Sequence, residues 1–279
     1  MKRITSVILL FLGVSLYSQA QSTLGSYLGD ESGFYAETKQ VNQFFRRFNN
    51  EEDKNGVRYE ITDKRYRAAK LRKSYLEVLF DGQNRKLSPE LKQAFIETLT
   101  NKNNPQFLDF HEGGWFAQVE ALVYYKGQEK KATFYLELEK EMLGHKWAFT
   151  KVYFEPFHRM FAQGDSTEGR KKFLHPLSHE VDFMNLNKAL QDKRFVEYYA
   201  QKDFQPDYLT LFFYEIKQGN LKFKTIQEVK FHFFQIDQWY FEISEFNRTG
   251  YNRGWLISNL AKVNDQQKNL LKKYIYNDY

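Results

Sequence analysis

The chain has 279 residues, 42% of them hydrophobic and 18% aromatic, and it contains no cysteine. That much apolar material fills one large core or two of ordinary size and argues against large-scale disorder, while the lack of cysteine excludes disulfides, thiol catalysis, thiolate metal sites and lipid attachment at an N-terminal cysteine. The formal charge is +6, and the ten basic and four acidic residues between Lys54 and Lys86 carry all of the excess.

Lys2 and Arg3 precede the apolar run Ile4 to Leu16, and Ser18-x-Ala20 places small residues where a signal peptidase cuts. Residues 1–20 therefore read as a cleavable leader that sends the chain to the periplasm or beyond the cell. No later run approaches the roughly 18 apolar residues of a membrane-spanning helix, so the mature chain is expected to have no transmembrane segment. Residues 21–35, rich in Ser and Gly, read as a flexible lead-in. Val41, Phe44, Phe45 and Phe48 recur at helical spacing and predict a helix over 36–49, and a broad apolar face from Tyr66 to Phe80 predicts another over 63–80. The basic residues of that second helix, Lys70, Arg72 and Lys73 among them, offer a surface to an anionic partner such as lipid headgroups or glycan, or else simply solvate the helix. Nucleic acid is discounted as a partner for an exported chain.

Ser88-Pro89-Glu90 is a helix start, with a capping hydroxyl, Pro in the first turn and an early acidic residue. Alternating runs near 115–125, 131–139 and 146–154 predict a three-stranded antiparallel meander. The stretch 161–173 is polar and Gly-bearing, reading as a linker. A broken helix over 179–200 and a helix over 205–217 then lead to strands near 225–236, 238–246 and 254–263, and a terminal helix over 265–276.

The second half echoes the first. Val119 to Val152 matches Val229 to Val263: Glu137-Leu138 aligns with Glu242-Ile243, and Trp147-x-Phe149 aligns with Trp255-x-Ile257. Upstream, Pro89 and Phe95 align with Pro206 and Phe212. The expected fold is α+β, as two tandem units over 36–160 and 174–279, each with helices followed by a curved antiparallel meander of three or more strands. This order of elements resembles the nuclear transport factor 2-like, cystatin-like superfamily. The resemblance implies a pocket between the concave sheet and its helices, in a family of enzymes, small-ligand binders and protein-interaction modules; no family site residue is carried over to a position here.

Chemistry-bearing residues are sparse. His232 or His145 with Glu242 or Glu137 would make an acid-base pair if a cavity brought them together; the plainer reading places both glutamates on a solvated face. Trp147, Trp255 and Trp239 would stack on a planar or sugar ligand, or else fill the core. His175 and His179 are four apart, as metal ligands on a helix would be, but Pro176 favours a helix starting after it, so no metal is expected. No cofactor motif is present. These features point to an exported, non-catalytic binding or scaffolding protein of the bacterial envelope, with a protein or a small apolar ligand as partner. A pocket enzyme of the hydrolase, isomerase or lyase type is the rival, and a binder of anionic surfaces the third reading.

Overall fold

A computed structural model describes residues 41–53, 55–142, 144–161, 171–174, 186–191, 193–249 and 252–277. The leader, the lead-in, most of the linker and the His175/His179 pair lie outside them. The chain forms two compact units, Met1–Leu79 and Phe80–Tyr279.

In the first unit, α1 (41–49) turns its Val41, Phe44, Phe45 and Phe48 stripe inward. The chain then leaves the helix at Asn50, which has a φ of 59°, and a short hairpin bridges Glu52 to Arg58. The fully buried Glu52 carboxylate lies 2.7 Å from Arg46 Nε and 3.1 Å from Arg47 Nε. The second helix, α2 (Ala69–Val78), is shorter than the 63–80 expected from periodicity. Arg67 takes a φ of 53° and donates its N–H to the Asn50 carbonyl; a right-handed helix cannot run through such a residue. Arg72 is likewise not part of a basic surface. It is 1% exposed, its Nε donates to the Phe48 carbonyl at 2.9 Å, and its guanidinium lies over the Phe48 ring.

The second unit begins with α3 (Pro89–Leu99), where the Ser88 hydroxyl accepts the Leu91 N–H at 3.2 Å as the Ser-Pro-Glu signal implies. Strands β1 (Trp115–Tyr125), β2 (Gln128–Glu141) and β3 (Gly144–Tyr153) follow, then α4 (Glu155–Met160), α5 (Leu186–Gln191) and α6 (Tyr208–Lys217). Strands β4 (Leu221–Phe233), β5 (Trp239–Phe246) and β6 (Gly254–Lys262) form the second meander, and α7 (Asp265–Ile275) ends the chain. β2 starts three residues before its expected place because Lys126 and Gly127, both with positive φ, close a two-residue hairpin.

The fold is α+β, but the meanders are not separate. They join through β1 and β4 into one curved antiparallel sheet ordered β3-β2-β1-β4-β5-β6, so the sheet gives no division of the chain at 161–173. Val119 and Val229, where the two repeats begin, face each other across the join. The helices cross over as well. Phe95 of α3 packs 5.1 Å from Trp239 and 5.5 Å from Phe241, both in the second meander. Phe212 of α6 packs 5.2 Å from Phe134 in the first, and also meets Phe154 and Phe157. Each half therefore covers the other's strands. On the opposite face, Leu271, Ile275 and Tyr276 of the C-terminal segment pack against Phe116, Tyr135, Phe234 and Tyr240.

Candidate functional site

Strand alternation assigns the faces. Trp115 and Phe233 oppose each other in register, as do Leu138 and Trp147, and Phe231 and Ile243, on the face that carries α3 and α6. Trp147 lies on one edge strand and Trp255 on the other, yet both reach Phe231, with ring centroids 6.0 Å and 4.9 Å from it. Adjacent strands are about 4.8 Å apart, so two indoles from opposite edges converge on one central ring only if the sheet curls towards them. The result is an aromatic cradle with Phe231 and Trp115 as its floor. Trp115 stacks on Phe233 at 5.5 Å and meets Trp147 at 5.4 Å, and its indole N–H donates to the Phe110 carbonyl at 3.2 Å.

The rim is open. Trp147 is 37% exposed and Phe149 is 46% exposed, a large apolar surface left to water beside a packed core. Phe213 of α6 borders Phe149 at 6.1 Å, and the exposed His111 and His145 rings lie 4.4 Å apart at another border. Trp255 Nε1 is buried with no hydrogen-bond partner among the described residues. Trp239 shares this face but lies beneath α3, where it is buried and donates to Thr98 Oγ1 at 3.3 Å. Phe231 and His111 were not singled out in the sequence; the Phe231-x-Phe233 alternation would have found the first, while no local signal marks the second.

The acid-base candidates divide between the two faces. His145 shares the face of Trp147 while Glu137, opposite Ala148, lies on the other, where it accepts the Tyr276 hydroxyl at 3.0 Å; the two do not meet. His232 and Glu242 are cross-strand partners, and the fold does bring them together. The His232 Nδ1 to Glu242 Oε2 separation is 3.9 Å, too long for a hydrogen bond. His232 Nδ1 instead accepts the Tyr240 hydroxyl and Nε2–H donates to Gln118 Oε1, both at 2.9 Å. Burial, with a smaller push from Lys230, lowers the His232 pKa to about 3, so the ring is neutral with both nitrogens occupied. Glu242 accepts the Ser258 hydroxyl at 3.0 Å. This is a satisfied polar network beneath α7, with no nitrogen free to take a substrate proton.

One further histidine, His158 of α4, sits between Tyr153 and Tyr208 with ring centroids 4.5 Å and 4.1 Å away, and burial lowers its pKa. Among the described residues no group of three or more His, Asp or Glu side chains is placed to hold a metal, and no helix is long and apolar enough to cross a membrane.

No family model, curated protein or solved structure matches the chain. The functional reading therefore rests on the geometry alone.

Proposed function

We propose that the chain is an exported, non-catalytic binding protein that holds a small, flat apolar ligand in the aromatic cradle of its curved sheet. The carrying observation is the convergence of Trp147 and Trp255, from the two edges of the sheet, on Phe231, with Trp147 and Phe149 still open to water. Aromatic walls with exposed faces favour a planar, weakly polar guest. The occupied nitrogens of His232 count against the acid-base rival. The burial of Arg72 leaves Lys70 and Lys73 as the exposed members of the basic trio, which weakens the anionic-surface reading.

The reading retains a duplicated origin within the nuclear transport factor 2-like pattern. A two-fold relation through the Val119/Val229 pair would carry β1, β2 and β3 onto β4, β5 and β6, and α3 onto α6, which supports it. The strand registers differ in detail: Trp147 opposes Leu138, whereas Trp255 opposes Glu245.

The test is titration with the planar fluorescent probe anilinonaphthalene sulfonate on a chain whose near-ultraviolet circular dichroism shows fixed packing. Saturable one-to-one binding is expected, weakened roughly tenfold by Trp147→Ala, since a stacking contact is worth about 1 kcal/mol or somewhat more. Glu137→Gln, on the opposite face, leaves it unchanged. Binding that is indifferent to both Trp147→Ala and Phe149→Ala would defeat the proposal.

A further inference from the structure

Among the described residues, no strand lies along the outer edge of β4 over residues 222–228. Residues 222–228 are all exposed, and they have β1 along one edge only, because the pairing with β5 spans Lys230 to Phe233. Phe223 is 60% exposed and Ile226 is 54% exposed, and both face the cradle side, opposite Val123 and Ala121. Natural edge strands are commonly guarded by an outward-pointing Lys and by bulges. Two register irregularities are present here, but Lys224 is drawn back onto Glu129 of β2 and so does not guard the edge.

We propose that this edge joins two copies of the chain, β4 against β4, antiparallel, with a two-fold axis at Thr225. The strand is complementary to its own reverse. Lys222 of one copy falls opposite Glu228 of the other, twice, and both side chains lie on the face away from the cradle, where they oppose Tyr124 and Glu120 of β1. Thr225 meets its own counterpart, a favourable cross-strand pair. Phe223 and Ile226 of both copies collect on the other face, which removes the largest apolar groups of this ribbon from water. Glu228 already lies 3.3 Å from Lys230 and would then sit between two ammonium groups. An unrelated strand would satisfy the backbone equally well, but the spacing of Lys222 and Glu228 about Thr225 selects a second copy of the same strand.

Sedimentation velocity of the mature chain over a wide concentration range tests this. A concentration-dependent dimer is expected. Lys222→Glu should weaken it about tenfold, because both cross-strand pairs become carboxylate against carboxylate, and Glu228→Lys should do the same. The double exchange Lys222→Glu with Glu228→Lys should restore the wild-type dimer. A wild type that stays monomeric at every concentration, a dimer indifferent to the single changes, or a double exchange no better than either single would each overturn the proposal.

Discussion

His232 is neutral because of what surrounds it. Its ring is sealed between Phe116, 4.9 Å away and stacked, and the hydroxyl of Tyr240, so a proton added there would be a buried charge beside Lys230. The folded-state pKa of about 3 lies below the 6.5 of an unperturbed histidine, so the unfolded chain binds the proton first as pH falls. Stability from this residue is therefore fully present above about pH 6.5 and is lost progressively down towards pH 3. At pH 5 the loss is about 2 kcal/mol. Thermal unfolding should show the wild-type Tm falling from pH 7 to pH 5, with His232→Gln giving a flatter profile; parallel profiles would show that another group carries the acid sensitivity. In the sequence, alternation set His232 opposite Phe231 and Phe233, the place of a solvated residue. It is buried because the C-terminal segment, through Tyr276 and Ile275, covers that second face. Arg72 teaches a related lesson. It falls at i, i+4 and i+7 with Leu76 and Leu79, inside the apolar stripe of α2, and charge alone hid it.

Among the elements, those with chemical punctuation were the most legible. Ser88 caps α3, and Asn264 with Gln267 forms a reciprocal capping box at α7. The helix expected over 205–217 starts later: α6 is capped by Asp207, whose Oδ1 takes the Leu209 and Thr210 N–H groups. Periodicity overshot for α2, since a single left-handed residue at Arg67 leaves no trace in an apolar pattern. What holds α6 to the sheet is Phe212, buried among Phe134, Phe154 and Phe157. Truncating it to Ala removes that contact and leaves a cavity, at a cost of about 3 to 5 kcal/mol, so urea unfolding should shift to a much lower midpoint. Truncating the exposed neighbour Phe213 should leave the midpoint nearly where it was. Equal effects at the two positions would mean that α6 is seated on a different face.

At the scale of the molecule, the strands expected in each half are present as two three-stranded meanders, although Trp147 faces Leu138 and Trp255 faces Glu245, so the two tryptophans do not hold equivalent registers. The repeat in the sequence could not say how the meanders meet. A period of two tells which residues share a face but not which strand lies alongside, and so the expectation of one sheet per half gave way to one sheet for both. Sharing explains the cradle: without the β1–β4 join, Trp147 and Trp255 would sit on separate sheets and have no common floor in Phe231. It also explains the exchanged helices, since α3 closes over β5 and α6 over β2.

The absence of native cysteine makes the join directly measurable. Val119 and Val229 are directly opposed, and opposed cross-strand residues have Cβ atoms about 4.5 to 5.5 Å apart, within small adjustment of disulfide geometry. Val119→Cys with Val229→Cys should therefore cross-link within one chain under mild oxidation, seen as faster migration on non-reducing gels. Val119→Cys with Lys222→Cys, displaced along the same strand pair, should not. Failure of the first pair to close, or equal closure of both, would contradict the shared sheet and with it the aromatic cradle.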